Sequence, residues 1–259
     1  MPLTATLPQL FRPGGAEHLI RIGRDFDGGY LIDRRNLDHA DFLVSMGLSD
    51  DWSFEKQFLQ ARAVGLVAYD PTVSPRVLAR RAYDRLVHLE IPTRALRMLW
   101  MAGDFYWFFR GQGRRHEKKF VGLDAGEENI SLASILAEHV PPEVGNIFFK
   151  IDIEGSEYRI LDELVAAADR MEGLAIEFHD VDLHLDRIAR FLERFPLNLV
   201  HVHVNNYGFV LADGIPTVIE CSFSRRDVSG PGSDFSLPHP LDMPNRKAVP
   251  ETEIAFHDG

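Results

Sequence analysis

Residues 146–155 read NIFFKIDIEG, an apolar and aromatic run that ends in charged residues and a glycine. A strand that is apolar on both faces is typical of the centre of a parallel sheet. Side chains alternate along a strand, so Lys150, Asp152 and Glu154 are predicted to share one face at its carboxyl end. Charged groups in such a place need partners, and we expect Lys150 to neutralise one acid and leave the other facing a cleft.

Six further short runs of β-branched and aromatic residues predict strands: 41–47, 64–70, 120–124, 174–179, 199–206 and 217–223. Between them, apolar residues recur every three or four positions, which indicates helices with one apolar face. Strands that alternate with helices predict an α/β fold with a parallel sheet covered on both faces. The last two runs are joined by only NYGFVLADGIP, which suits a hairpin, so the sheet is expected to end antiparallel.

Composition and charge are those of a globular protein. The chain has 259 residues, of which 45% are hydrophobic and 26% charged, and we expect a single domain over residues 1–259. A net charge of −11 disfavours a surface that follows a phosphate backbone, so no nucleic-acid partner is expected. Cys221 is the one cysteine, and neither a leader nor a run of about 18 apolar residues is present, so we expect a cytoplasmic location and no transmembrane segment.

One segment reverses the acidic balance. Residues 76–119 contain eleven Lys and Arg against four Asp and Glu, and aromatic residues are concentrated between 100 and 109. We interpret residues 73–119 as a basic, aromatic helical insert. It could be a mobile lid over the acceptor site, a surface that docks on an anionic partner such as membrane lipid, or a solvated helix. The proline-rich residues 224–259 are predicted to form an extended wrap over the domain.

Two strand ends have the spacing of a nucleotide site. The run 41–47 ends at Gly47, and Asp70, which ends the next run, follows 23 residues later. A glycine turn and an acid about 20 residues apart bind the ribose of a nucleotide in many βαβ units. A G-x-G-x-x-G phosphate cradle is absent, and Asp50 and Asp51 would repel a pyrophosphate at the next helix. The pattern favours an adenosine cofactor without phosphate over an ordinary turn glycine and a surface acid.

Further carboxylate and imidazole groups lie on later strands. In the run 174–179, Glu177 and His179 share one face of the strand. In the run 199–206, His201, His203 and Asn205 share one face. They could form a base, a metal site or hydrogen-bonded core groups. His179 and His203 lie nearer the strand ends and are the better candidates for chemistry, whereas His201 is expected in the core.

Several motifs together resemble the FkbM-type family of S-adenosylmethionine-dependent methyltransferases. They are KIDIEGSE followed by YRIL (150–161), ISLASIL (130–136), AYDPT (68–72), GRDFDGGYLID (23–33), VSMGLSDDWSFE (44–55) and HVHVNNYG (201–208). The resemblance implies a class I methyltransferase-like (Rossmann-like) three-layer sandwich. Its sheet would have seven mostly parallel strands and an antiparallel final hairpin.

The resemblance also implies roles for individual residues. Gly47 and its loop would lie against the methionine end of S-adenosylmethionine, Asp70 would hold the ribose hydroxyls, and Asp152 would lie near the transferable methyl group. The amino-acid end of the cofactor would be covered by Asp27, Gly28, Gly29 and Tyr30. The first loop has a single glycine where many methyltransferases have two or three.

The expected reaction is O-methylation of a small molecule, a sugar or a lipid-linked acceptor. An acceptor hydroxyl needs a base, which Asp152 or His179 could supply, with Glu177 as the third catalytic candidate. We expect no resident metal; Mg²⁺ or Mn²⁺ held by Asp152, Glu177 and His179 is the alternative.

Three other readings stay open. A nicotinamide-dependent oxidoreductase would use a similar sheet, although the missing glycine fingerprint argues against it. A non-catalytic module could dock an anionic partner through the basic segment, with peripheral membrane contact. Asp152 could also be the structural partner of Lys150, with Ser156 and Glu157 capping the next helix. The oligomeric state cannot be read from the sequence.

Overall fold

The computed structural model describes residues 3–15, 17–88, 92–122, 126–228 and 236–258. Its strands are β1 (Thr4–Pro8), β2 (Leu19–Ile22), β3 (Tyr30–Asp33), β4 (Phe42–Met46), β5 (Gly65–Tyr69), β6 (Arg114–Glu117), β7 (Phe120–Val121), β8 (Asn129–Ile130), β9 (Ile147–Ile151), β10 (Met171–Phe178), β11 (Asn198–Val204), β12 (Ile219–Ser224) and β13 (Glu253–His257). Its α-helices are α1 (Arg34–His39), α2 (Ser53–Ala61), α3 (Pro75–Val87), α4 (Pro92–Phe109), α5 (Leu132–Glu138), α6 (Leu161–Ala167) and α7 (Val181–Arg194). Short 3₁₀ turns cover Gln9–Phe11, Glu157–Arg159 and Ala168–Arg170.

A seven-stranded sheet forms the centre of the molecule, in the order β11-β12-β10-β9-β4-β5-β6. The strands β10, β9, β4, β5 and β6 are parallel, whereas β12 runs antiparallel to both β10 and β11. Helices cover both faces. The predicted α/β class, the mostly parallel seven-stranded sheet, the antiparallel end and the central place of the strand from NIFFKIDIEG are therefore confirmed.

Along the chain, the third strand of the main sheet, which follows β5, is not the one that the sequence predicted. The run 120–124 was expected there, but β7 ends at Val121 and pairs with β8 outside the main sheet, and residues 123 and 124 lie outside the described part of the chain. The sheet instead ends at β6, within the supposed insert. Its sequence RRHE lacks an apolar face because an edge strand is half exposed.

Residues 73–119 are consequently not a simple insertion. They hold α3, α4 and β6, so the two helices connect the neighbouring parallel strands β5 and β6. The helices pack against each other and reach the core through Leu78, Met101, Phe105 and Phe108. Among the described residues, no helix has the length and hydropathy needed to cross a membrane.

The two faces of the sheet differ in polarity. The face under α5, α6 and α7 is apolar, with Met46, Ile151 and Phe178 among its buried side chains. The face under β3, α2, α3 and α4 also carries a row of buried polar side chains: Ser45, Lys150, Glu177, Glu220 and His203. Buried polar groups are costly unless they are paired, so this row must form an ordered network.

Asp242, Asn245 and Glu251 of the C-terminal segment contact the polar side of the sheet, whereas Ile254 and Phe256 of β13 pack against the apolar core cluster. Asn206 accepts a hydrogen bond from the backbone N–H of Arg246 and donates to the carbonyl of Val249. Beyond these contacts, β13 pairs in parallel with β1, which joins the two ends of the described chain. Residues 229–235 and 259, which belong to the predicted wrap, lie outside the described residues.

A tight crossing joins the ends of β4 and β9. Gly47 has φ of +83°, and a Cβ atom there would overlap the carbonyl oxygen of Asp152. The N–H of Asp152 donates to the carbonyl of Met46 at 2.8 Å, and Lys150 Nζ donates to the carbonyl of Gly47 at 2.6 Å. Only glycine fits both the left-handed backbone and the close approach.

We predict that Gly47→Ala destabilises the protein by about 2 kcal/mol or more, because the alanine adds left-handed strain and a clash with backbone. Chemical denaturation of the variant measures this loss. Gly145→Ala is the matched control, because nothing lies within 4 Å of the added methyl group. Equal stability of the two variants would show that the crossing is not tight.

Candidate active site

A cavity of about 570 Å³ opens at the carboxyl ends of β4, β9 and β10. Open α/β sheets bind ligands in this place, and small-molecule sites typically measure roughly 300–1,000 Å³. Of the predicted site residues, six line the cavity: Asp27, Gly28, Tyr30, Asp152, Glu177 and His179. Gly29, Gly47 and Asp70 are not among the lining residues.

Asp70 is buried behind the cavity wall, where it holds the loop after β4. Its Oδ2 accepts hydrogen bonds from the backbone N–H groups of Leu48 and Ser49 at 2.8 and 2.6 Å. Its Oδ1 accepts from the N–H and hydroxyl of Thr72 at 2.7 and 2.6 Å. Burial alone would raise the pKa of Asp70, but these hydrogen bonds lower it. The ribose-binding role of Asp70 stays a prediction, and its carboxylate already has four protein donors.

The loop between β2 and β3 forms a second wall. Gly28, at φ of +87°, comes so close to Asp51 that a Cβ atom would overlap the carboxylate. Arg24 ties this loop to the start of α2 through an ion pair with Asp51 at 3.1 Å. Asp27 faces the cavity, and burial raises its pKa although Arg24 opposes the shift. A Cβ atom at Gly29 would overlap the carbonyl oxygen of Arg24.

Lys150 is a buried cation among acids. Its Nζ lies 3.5 Å from Asp152 Oδ2, in addition to the bond to the carbonyl of Gly47. Burial alone would lower the pKa of Lys150, but the charges of Asp152, Glu55 and Glu177 raise it. The predicted pairing of Lys150 with one acid therefore holds, and the Asp152 side chain stays 28% exposed towards the cavity.

Glu177 is a buried acid of the cavity. Tyr30 donates its hydroxyl to Glu177 Oε2 at 3.1 Å, and Asn205 donates its amide to Oε1 at 2.8 Å. The same hydroxyl lies 3.4 Å from Asp152 Oδ2. Burial, together with the charges of Asp152 and Glu220, raises the pKa of Glu177 well above its usual range. Burial likewise raises the pKa of Tyr30, so its phenol keeps its proton.

His179 is fixed by Glu157, a residue that the sequence suggested only as a helix cap. Glu157 is fully buried, and its Oε1 lies 3.0 Å from His179 Nδ1. The same oxygen accepts hydrogen bonds from the N–H groups of Ile153 and Gly155, because Glu154 and Gly155 both have positive φ and turn the chain back. The acid spacing in EGSE is the signal in the sequence that points to Glu157.

The charges around His179 decide its protonation. Burial alone would lower the pKa of His179, but the hydrogen bond to Glu157 and the charges of Glu177, Glu157 and Asp152 raise it to about 9. The imidazole is therefore protonated at neutral pH. In that state it donates protons and cannot act as the base.

A metal could be held beside the same imidazole. Asp152, Glu154 and His179 offer ligand atoms that all lie within 4.8 Å of one another. A carboxylate on Nδ1, here Glu157, is the usual way to orient a metal-binding histidine. Glu154 replaces Glu177 in this set, and its left-handed backbone breaks the strand alternation on which the prediction for residue 154 rested. Two oxygen ligands and one imidazole suit Mg²⁺ or Mn²⁺ when water completes the shell.

His201 and His203 form a separate cluster under the C-terminal segment. His201 Nε2 lies 3.1 Å from Asp242, and His203 lies 3.1 Å from Glu220 and 3.0 Å from Glu251. Both imidazoles are buried and neither lines the cavity, so the expectation for His201 is met, whereas a chemical role for His203 stays a prediction. Of the polar residues predicted on β11 and beyond, only Asn205 reaches the cavity.

The cavity as a whole is strongly acidic. Eight carboxylic residues line it: Asp27, Asp50, Asp51, Glu55, Asp152, Glu154, Glu177 and Asp180. Arg24, Lys150 and His179 are the basic lining residues. Such a field attracts cationic ligands and repels phosphates.

No protein-family profile and no curated protein sequence matches the chain, so the resemblance to the FkbM-type family stays a prediction. Among solved structures, a METTL16 methyltransferase domain is similar at 7% identity and a TM-score of 0.38, over 75% of this chain and 65% of that domain. A protein from Galdieria sulphuraria described as a sarcosine dimethylglycine methyltransferase has 10% identity and a TM-score of 0.37, over 74% of this chain and 81% of that one. A protein from Pyrococcus horikoshii described as an RNA methyltransferase has 9% identity and a TM-score of 0.35, over 76% and 77%.

This chain thus covers just under two thirds of the METTL16 domain. The three likenesses are distant. The function proposed below therefore stands on the residues of the cavity.

We predict that His179 stabilises the fold in a pH-dependent way. Its pKa rises from 6.5 to about 9 on folding, so the stabilisation is complete below pH 6.5 and is lost as the pH rises through 9. NMR titration of the imidazole should give a midpoint near 9, and Glu157→Gln should move the midpoint to lower pH. A midpoint of 6.5 in both proteins would contradict the arrangement described for Glu157 and His179.

Proposed function

We propose that this protein is an S-adenosylmethionine-dependent methyltransferase that methylates a hydroxyl group on a small molecule, a sugar or a lipid-linked acceptor. The observation that carries the proposal is the acidic cavity at the carboxyl ends of β4, β9 and β10, in a seven-stranded sheet with an antiparallel final pair. The METTL16 domain and the two other similar structures named above bear methyltransferase names.

The lining residues fit S-adenosylmethionine better than a dinucleotide. The ligand carries a sulfonium and an ammonium group and no phosphate, which suits eight carboxylic residues around a cavity of about 570 Å³. A nicotinamide cofactor would bring a pyrophosphate towards Asp50 and Asp51 at the start of α2, where these charges repel it. The charge of the cavity therefore favours a transferase over the nicotinamide-dependent oxidoreductase.

Several residues would hold the ligand. Asp27, Gly28 and Tyr30 line the wall proposed for its amino-acid end. Asp50, an exposed acid on the loop that Asp70 fixes, also lines the cavity. The ligand supplies an electrophilic methyl group when it is bound. Asp152, which keeps a partly exposed carboxylate beside Lys150, is the residue proposed to face that group.

The chain's own groups divide the proton chemistry among them. Asp152 would accept the proton of the acceptor hydroxyl, since His179 already carries a proton at neutral pH. The positive His179 lies 3.9 Å from Asp152 Oδ1 and would hold that carboxylate in place. Glu177 would act through Tyr30: it accepts a hydrogen bond from the Tyr30 hydroxyl and so would hold that side of the cavity wall in position.

Other parts of the assignment remain proposals. A divalent metal on Asp152, Glu154 and His179 would acidify the acceptor hydroxyl in place of a base. The cytoplasmic location and the exclusion of nucleic acid stay predictions, and one similar structure is described as an RNA methyltransferase.

We predict that the protein binds S-adenosylmethionine more tightly than S-adenosylhomocysteine, because only the former carries the positive sulfonium. Isothermal titration calorimetry with both ligands measures the difference. Asp152→Asn should weaken binding of S-adenosylmethionine by about tenfold and leave S-adenosylhomocysteine nearly unchanged. The variant should fold, because Lys150 keeps its bond to the carbonyl of Gly47.

Asp186→Asn is the matched control, an exposed acid on α7 on the other side of the sheet. It should leave both affinities at the values of the unmodified protein. Equal affinities for the charged and the neutral ligand, or tighter binding of NAD than of either, would refute the proposal.

A further inference from the structure

Helix α4 carries an apolar stripe on its outer side. Leu96, Trp100, Gly103 and Trp107 recur at spacings of four and three, so they lie on one side of the helix. The side chains of Leu96, Trp100 and Trp107 are 64%, 67% and 73% exposed. The core face of the same helix is a different one, formed by Ala95, Met101, Phe105 and Phe108. Helix α4 is therefore apolar on two sides, and one of them faces solvent.

The end of α3 extends this surface. Tyr83, Leu86 and Val87 are exposed at the end of α3, which packs against α4. Large apolar side chains scattered singly over a surface are ordinary, but a stripe along one side of a helix, with three more on the helix that packs against it, indicates an interaction site. We call these residues of α3 and the stripe of α4 the outer patch.

Positive charge surrounds the outer patch although the protein is acidic. Residues 75–88 and 92–110 contain seven arginines and two aspartates, in a chain whose net charge is −11. One of the two, Asp104, is paired with Lys56 of α2 at 2.5 Å. Arg94, Arg97 and Arg110 are exposed on or next to α4, beside the stripe. The partner of this surface should therefore be both negative and apolar.

The outer patch borders the mouth of the acidic cavity. A smaller cleft is lined by Arg97, Trp100 and Met101 of α4 together with Arg24, Asp50 and Asp51, and these last three also line the main cavity. A surface that docks α4 would lie next to the opening through which an acceptor enters.

We propose that the outer patch docks on the surface of an anionic lipid membrane. Tryptophan and tyrosine favour the boundary between headgroups and acyl chains, leucine and valine favour the acyl region, and arginines bind anionic headgroups. Docking of this kind would hold the cavity mouth at the bilayer. It rests on the composition and exposure of the patch and does not require the proposed methyl transfer.

A single-stranded nucleic acid fits the patch less well, because bases stack on aromatic rings but leave Leu86, Val87 and Leu96 exposed to water. A second copy of the chain would bring the arginines of both copies together around the patch, and like charges at short distance repel each other. An anionic bilayer satisfies the charge and the apolar groups together.

Vesicle flotation tests the proposal on the full chain without any cofactor. Vesicles of pure phosphatidylcholine are compared with vesicles that contain about 30% phosphatidylglycerol. We expect binding to the anionic vesicles only. The double variant Leu96→Ser with Trp107→Ser, and the double variant Arg94→Glu with Arg110→Glu, should each reduce the bound fraction about tenfold or more.

The controls are Leu183→Ser on α7 and Arg159→Glu, which change an exposed leucine and an exposed arginine away from the patch and should bind as the unmodified protein does. S-adenosylhomocysteine titrations of the same variants keep this question separate from the proposed function. Equal binding to neutral vesicles, or binding that the patch variants leave intact, would overturn the proposal. Absence of vesicle binding would also overturn it. In that case, a dimer in sedimentation velocity that the patch variants abolish would identify a second copy as the partner, and an RNA gel shift that they abolish would identify RNA.

Discussion

The polar side of the sheet depends on the contacts that the buried ammonium group of Lys150 makes. It lies at the middle strand, donates to the carbonyl of Gly47, and is surrounded by Asp152, Glu55 and Glu177. Its positive charge opposes the rise in pKa that burial gives to Glu55 and Glu177. Because Lys150 also binds backbone from the neighbouring strand, it couples the charge of the cavity to the geometry of the sheet. The apolar face, by contrast, needs only close packing.

The cavity follows from how two strand ends are held. Gly47 lets the chain after β9 pass close to the chain after β4. Asp70 fixes the loop of residues 47–51 because its carboxylate accepts hydrogen bonds from the backbone N–H groups of Leu48 and Ser49. The turn after Ile151 then returns Glu157 beneath His179, which sets the orientation and the charge of that imidazole. Asp152 keeps a partly exposed carboxylate at the cavity. The imidazole of His179 and the ammonium of Lys150 lie on either side of this carboxylate, within an acidic field.

The sequence predicted the strands that obey a simple rule. The runs around Ile147–Ile151 and Met171–Phe178 are apolar because both faces are buried, and their carboxyl ends were correctly expected to carry the cavity. The strand Arg114–Glu117 was not predicted, because a strand at the edge of a sheet does not need apolar residues. Contacts between residues distant in the chain were not predicted either. No spacing in the sequence shows that Asp70 accepts a hydrogen bond from the backbone of Leu48, or that His203 contacts Glu251 of the C-terminal segment. Hydrogen-bond partners of this kind are chosen by the tertiary structure alone.

The most direct test of the central claim is a crystal structure of the protein with S-adenosylhomocysteine. We expect the ligand within the cavity at the ends of β4, β9 and β10, with its thioether sulfur beside the carboxylate of Asp152 and its amino-acid end at the wall formed by Asp27 and Tyr30. Ligand density on another part of the molecule would contradict the assignment of this cavity. So would density in the cavity with the sulfur turned away from Asp152, because the acidic centre would then serve another reaction.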